Sequence, residues 1–262
     1  MDLHLSGRAY FVSGLSRGIG QAIATALLDE GALVAGCARH EDGLTQLRQH
    51  LPDDSLNRLL TTVADVTDPG PLASAVIGAS EIFGRLDGVV ANAGAGFRAG
   101  VLETSDQEWD EQFRTKLHSV LNLVRPALPA LRHSDAPRIV VMNGIIARQP
   151  DPHLAAASAA RAGVANLTRS LAIELASESI LVNSVNLGAI ATSRQHTLHQ
   201  DSGSPLDFDA WSQAEALRRG ILLGRFGDPA EVVPAVLLLL SPLSSYITGS
   251  SIDISGGSGT TS

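Results

Sequence analysis

The 262-residue chain has a single cysteine, a single lysine and two tyrosines, and only 4% of its residues are aromatic. With Cys37 alone, no internal disulfide framework can form, and the composition suits a reducing, cytoplasmic setting. Positive charge is scarce: 19 Lys and Arg stand against 27 Asp and Glu, a formal net charge of −8. No basic block occurs, so neither nucleic acid nor an anionic membrane is an expected partner. Long hydrophobic runs are missing as well. The longest, Ala235 to Leu240, is far too short to span a bilayer, and Met1-Asp2-Leu3-His4 lacks a secretory pattern. Cys37 stands alone and the histidines lack ligand spacing, so no metal site is expected. What the chain does have is 44% hydrophobic residues against 18% charged, enough for a sizeable core.

Short apolar runs alternate with helical stretches. Strands are expected at 9–12, 32–37, 59–64, 88–91, 138–142 and 181–185. Between them, helical patterns fall at 21–28, 41–50, 71–83, 105–131 and 155–176, with a further helix at 230–240. Ser105-Asp106-Gln107-Glu108 has capping-box spacing, and Asp228-Pro229 supplies a cap and a first-turn proline. Such alternation predicts an α/β fold: one Rossmann-type, doubly wound parallel sheet in a three-layer α/β/α domain spanning 1–262. The polar stretch 193–220 reads as an insertion with a short helix around Trp211–Arg218, placed to act as a substrate lid.

Val12-Ser13-Gly14-Leu15-Ser16-Arg17-Gly18-Ile19-Gly20 follows the first strand and opens the first helix. Gly14 permits a tight turn, Gly18 admits a pyrophosphate close to the backbone, and Gly20 lets helix and strand pack. The helix N-terminus adds unpaired N–H groups and partial positive charge, which suit a dinucleotide.

This turn resembles that of the short-chain dehydrogenases/reductases. Further similar segments are Ala64-Asp65-Val66, Asn92-Ala93-Gly94, the run Asn183 to Thr192, Ile247-Thr248-Gly249 and Gly256-Gly257. The resemblance covers nearly the whole chain. It implies that Gly14, Ser16, Arg17, Gly18, Ile19 and Gly20 line the dinucleotide, and that Asp65 and Val66 touch adenine. It also implies that Asn92 and Gly94 lie beside a ribose and that Ile190 and Thr192 hold the nicotinamide carboxamide. The position after the second strand, which in NAD-preferring members carries an acid for the ribose 2′-OH, reads Cys37-Ala38-Arg39 here. Arg39 and Arg17 can hold a 2′-phosphate by charge-assisted bonds, so NADP(H) is expected over NAD(H).

The family's chemistry rests on Asn, Ser, Tyr and Lys, and this chain departs at all four. Lys116 stands at the Asn position, Gly144 at Ser, Ala157 at Tyr and Arg161 at Lys. An atypical member with a degenerate site is therefore expected. Neither Tyr10, in the first strand, nor Tyr246, near the C-terminus, is placed to substitute. Lys116, near Arg161, should have its ammonium destabilised by like charge and burial, and could donate a proton, act as base or form a Schiff base. Arg161 can hold ribose hydroxyls. His153 offers neutral-range titration, and Asn143 and Ser158 offer hydrogen bonds, with Asp151 a candidate to orient His153.

The reading that follows is an NADP-dependent oxidoreductase of the short-chain type. It would act on a small carbonyl or alcohol through a non-standard proton source. Alternatives are a lyase, dehydratase or isomerase on the same scaffold, or a catalytically silent nucleotide-binding protein. By resemblance, a homotetramer or homodimer is expected.

Overall fold

The computed structural model describes residues 2–94 and 96–259. Seven strands form one sheet: β1 (Ala9–Ser13), β2 (Leu33–Ala38), β3 (Leu59–Val63), β4 (Gly88–Ala91), β5 (Arg138–Gly144), β6 (Leu181–Leu187) and β7 (Ser251–Ile254). Their spatial order is β3-β2-β1-β4-β5-β6-β7, and every pairing is parallel. The order reverses between β1 and β4, which opens a crevice beyond their C-terminal ends. Side chains alternate across the sheet and feed two cores. Phe11, Ile139 and Val141 pack with Leu72, Leu123 and Val164 on one face. Tyr10, Val12, Val140 and Met142 pack with Leu27, Leu44 and Val236 on the other. Both faces are thus covered by helices, which is why the strands read as unbroken apolar runs.

The helices are α1 (Gly18–Asp29), α2 (Glu41–His50), α3 (Asp53–Leu56), α4 (Pro69–Phe83), α5 (Asp106–Phe113), α6 (Ser119–Leu131), α7 (Ala155–Leu175), α8 (Ser193–Asp201), α9 (Phe208–Arg218) and α10 (Pro229–Leu240). The expected capping box of Ser105 with Glu108 forms, and Asp228 caps α10 as expected, with Glu231 completing a second box. No helix among the described residues is long and apolar enough to cross a membrane.

Three features differ from the sequence expectation. The stretch 105–131 is not one α-helix: a π-helical turn, Arg114–His118, separates α5 from α6. The segment 193–220 holds two helices rather than one. Its first helix, α8, buries no residue, so it lacks the apolar stripe by which a helix is recognised in sequence. A seventh strand, β7, extends the sheet, and its four-residue Ser-Ile-Asp-Ile run, set among Gly and Ser residues, is too short to carry a strand signal of its own.

Opposite the crevice, at the N-terminal end of the sheet, the fully buried Asp87 ties chain segments together. Its carboxylate accepts from the Ala9 amide (2.8 Å), Arg85 Nε (2.7 Å) and Ser134 Oγ (2.7 Å). Burial alone would raise this carboxyl, but those donors outweigh it and leave the group below its ordinary range.

Candidate active site

The glycine turn is held by a small polar knot. The Ser13 hydroxyl donates to the Val90 carbonyl (3.3 Å) and accepts from the amides of Asn92 (3.0 Å) and Ala93 (3.1 Å). Asn92 Nδ2 donates to the carbonyls of Ser13 (3.0 Å) and Gly14 (3.2 Å). The Asn92 amide therefore fastens the end of β4 to the turn. Gly14 has φ +72°, which an L side chain resists. A Cβ on Gly20 would lie 2.1 Å from the Gly14 carbonyl oxygen and 2.6 Å from Asn92 Nδ2, so only hydrogen fits.

At the start of α1 no side chain caps the helix and no acid lies in its first turn. The N–H groups there are free for an anionic ligand. Thr192 packs over the same turn, its Cγ2 3.3 Å from a Cβ position on Gly18. Ile190 is buried in the core and Thr192 precedes α8 without capping it through its side chain. Arg17 and Arg39 are exposed. Asp65 Oδ1 accepts from the amide and hydroxyl of Thr67, both at 2.8 Å. Burial pushes its carboxyl up, but those bonds and the charges of Arg39 and Arg114 bring it below the ordinary value. The Val66 carbonyl accepts from Asn122 Nδ2 (3.0 Å). Beneath the turn, burial lifts the Cys37 thiol to about 11, so it stays protonated and unreactive.

Beyond β4 and β5 the residues at the four departed positions come together. Arg161, on α7, donates from Nη1 to the Met142 carbonyl (2.8 Å), and its own carbonyl accepts from Asn143 Nδ2 (3.2 Å). Asn143 thus fastens α7 to β5. The Arg161 stem lies against Gly144, with Cδ 3.5 Å and Nε 3.6 Å from a Cβ position there, while Nη2 is 3.8 Å from the matching position on Gly94. Burial and the charge of Arg194 lower the Arg161 guanidinium to about 10, still protonated at neutral pH.

Lys116 is 6% exposed and sits inside the π-turn, a local widening that recurs at functional positions. Its ammonium donates to Gln112 Oε1. Burial first, then the charges of Arg161 and Arg194, hold the ammonium down at about 7, with Glu111 opposing.

The remaining candidates have structural duties. His153 is exposed, and its backbone amide donates to Asp151 Oδ1 (2.8 Å), so that carboxylate oxygen closes a local turn. The Ser158 hydroxyl accepts from the Asp151 amide (3.3 Å). Tyr10 is buried, and its hydroxyl donates to the Leu240 carbonyl (3.3 Å). Burial raises this phenol, while Tyr246 lies fully exposed. Ala157 is buried at the position where a tyrosine would stand. Among the described residues no group of three or more His, Cys, Asp or Glu side chains could hold a metal ion.

This arrangement of turn, sheet and helices recurs in known proteins. A family model described as enoyl-(acyl carrier protein) reductase matches residues 14–259. The 3-oxoacyl-(acyl-carrier-protein) reductase FabG of Vibrio cholerae is 31% identical over 255 residues, covering 97% of this chain and 98% of its own. The chain belongs to the short-chain dehydrogenase/reductase family. Among solved structures, a short-chain oxidoreductase of Pseudomonas aeruginosa PAO1, described as containing an atypical catalytic center, is similar at 38% identity. Its TM-score is 0.90, with 97% of each chain covered. An NADPH-bound structure of that type matches at 37% identity and TM-score 0.90, over 95% of this chain and 96% of the other. The L-sorbose reductase of Gluconobacter frateurii, complexed with NADPH and L-sorbose, is 27% identical with TM-score 0.93, over 98% of each chain. Within this short-chain dehydrogenase/reductase, sequence reasoning did not single out Gln112, Arg98 or Arg194. The one local signal for Arg194 was its place two residues after Thr192.

Proposed function

We propose that this short-chain dehydrogenase/reductase is an NADP(H)-dependent oxidoreductase of a small carbonyl or alcohol, with Lys116 as its proton donor and acceptor. The observation that carries the reading is a lysine buried in the π-turn at the position where the family has asparagine, where burial and the charge of Arg161 hold its ammonium down at about 7. A group that titrates near the working pH transfers protons in both directions most effectively.

The chain's residues fit the dinucleotide. The uncapped N-terminus of α1 suits the pyrophosphate, and Gly20 keeps the turn tight. Arg17 and Arg39 suit a 2′-phosphate, with an arginine rather than an acid immediately after β2. The NADPH complexes of the Pseudomonas and Gluconobacter relatives support the same choice. When bound, NADPH supplies the hydride. Arg161, anchored on the Met142 carbonyl, holds the ribose hydroxyls. Lys116 gives its proton to the carbonyl oxygen as the alcohol forms, and is reprotonated from solvent. His153 and Asn143 are assigned no proton transfer, since the first is exposed and the second braces α7. The segment 193–220 serves as the lid, and the molecule works as a homotetramer or homodimer. Exposed Leu222, Leu223 and Tyr246 supply apolar surface near the C-terminal strand for such contacts.

The test is a carbonyl screen that follows NADPH absorbance and product together, with Arg161→Ala and Lys116→Met alongside. Oxidation of NADPH with alcohol formation, impaired in both variants, is the expected result. Turnover with no change at the nicotinamide band would point instead to a lyase, dehydratase or isomerase. NADPH binding without turnover of any compound would make the protein a silent nucleotide binder.

A further inference from the structure

The crevice is far more positive than the molecule around it. The chain carries a net charge of −8, and most paired arginines on its surface meet an acid, as Arg132 meets Glu178 and Arg225 meets Glu231. Arg194 does not. Its Nη2 donates to the backbone carbonyl of Gly96 (3.0 Å), just beyond β4. A Cβ position on Gly96 lies 3.6 Å from Arg194 Nη1 and 3.6 Å from Lys116 Nζ. The two cations therefore converge on one point and stand within about 7 Å of each other, a range over which like charges repel appreciably. Arg98 adds to the positive charge felt by Arg194, as Arg194 does for Arg161. Among the described residues, neither Arg161, Arg194 nor Arg98 forms an ion pair with a carboxylate.

The setting of Arg194 is costly in a second way. It lies in the first turn of α8, where the helix dipole disfavours a cation, and no acid in that turn offsets it. Cations gathered against a dipole and against each other are stabilised by an anion placed between them. The 2′-phosphate has Arg17 and Arg39, at the other end of the crevice by the second strand. The pyrophosphate has the uncapped N-terminus of α1, so the anion left for the exposed Arg194 is one that the substrate carries.

We propose that the substrate is a short oxo acid, its carboxylate held by Arg194 at the mouth of the crevice, drawn in by Arg98, and its carbonyl oxygen presented to Lys116. This assignment rests on the oxidoreductase reading above for its direction, but the anion site itself does not. Because both groups reach the same point beside Gly96, the carboxylate and the carbonyl must be close together in the substrate, as in a 2-oxo or 3-oxo acid. The proposed step balances: the carbonyl carbon gains hydride from NADPH, the carbonyl oxygen gains the Lys116 proton, and a hydroxy acid and NADP leave.

The NADPH-loaded protein is titrated by calorimetry with 2-oxobutanoate and 3-oxobutanoate and with the methyl ester of each, and NADPH absorbance is followed in parallel. At least one free acid should bind about tenfold or more tightly than its ester, the scale of a charge-assisted hydrogen bond. Arg194→Gln should erase that difference while leaving NADPH affinity and ester binding as they were. Acids and esters that bind alike, or no measurable binding of either, would overturn the proposal. So would loss of NADPH affinity in Arg194→Gln, which would give Arg194 to the cofactor. Selective binding of an acid without NADPH oxidation would uphold the anion site and sink the oxidoreductase reading.

Discussion

Arg161, fastened to the end of β5 through the Met142 carbonyl, is the neighbouring charge that most depresses the Lys116 ammonium. Burial acts first, and the guanidinium then ensures that the lysine gives up its proton near pH 7 rather than near its ordinary value of 10.5. The consequence for catalysis has a definite sign. Carbonyl reduction needs the protonated amine, so its rate should fall as pH rises through about 7, and alcohol oxidation should rise over the same range. Lys116→Met should slow both by about a hundredfold or more and flatten the profile, as read from kcat across pH 5.5 to 9. A profile unchanged in the variant would take Lys116 out of the proton path.

The same group makes folding depend on pH. Its folded value is about 7 against 10.5 in the ordinary state, so between those limits the unfolded chain binds a proton that the folded chain does not. Stability should therefore rise with pH across that window through this residue, by at most about 1.4 kcal/mol per pH unit. Comparing urea denaturation of the native chain and Lys116→Met at pH 7, 8, 9 and 10 isolates the contribution. The variant's curve should be the flatter of the two.

Arg17 and Arg39 should decide between the two dinucleotides. Replacing Arg39 with Ala should weaken NADP binding by about tenfold or more and leave NAD binding nearly unchanged, since only the former carries the 2′-phosphate. Calorimetric titration with both cofactors checks this. Equal affinities in the native chain would remove the preference.

Glycine has different meanings at two positions in the site. A Cβ on Gly20 would collide with the Gly14 carbonyl at 2.1 Å, so Gly20→Ala should disrupt the turn and abolish dinucleotide binding. At Gly144 the backbone is extended (φ −144°) and a Cβ meets Arg161 at 3.5 Å, an ordinary contact. Gly144→Ala should therefore be accommodated and raise stability by about 0.4–1 kcal/mol, by thermal denaturation.

Ser13 offers a separate measure of how the turn is held. Its hydroxyl serves the amides of Asn92 and Ala93 and the Val90 carbonyl, and it is buried. Ser13→Ala should cost about 1–3 kcal/mol and loosen dinucleotide binding, seen as a lower Tm and a higher Kd together.

The glycine turn and the two capped helices were legible in the sequence because each is a local event. Gly14, Ser105 and Asp228 act on backbone within a few residues of themselves. Lys116 was legible for another reason, as the one lysine in a chain that otherwise uses arginine. The convergence of Arg194 and Lys116 on Gly96 was not legible, since it joins segments that meet only when β4, α8 and the π-turn are in place. The second duty of Asn143 was equally hidden. A strand residue facing α7 carries no mark in the sequence of the carbonyl it will brace.

The π-turn at Arg114–His118 has a consequence for how this chain can change. It gives the α5–α6 rod one residue more than regular winding requires. The widened turn takes up that residue, so α5 and the row Val120, Leu123, Val124 and Ala127 of α6 keep nearly the phase of one continuous helix. Removing one residue there would close the turn without rotating either helix against the sheet, and only the local widening that holds Lys116 would be lost. The packing of this rod and the placing of its one lysine can therefore change independently.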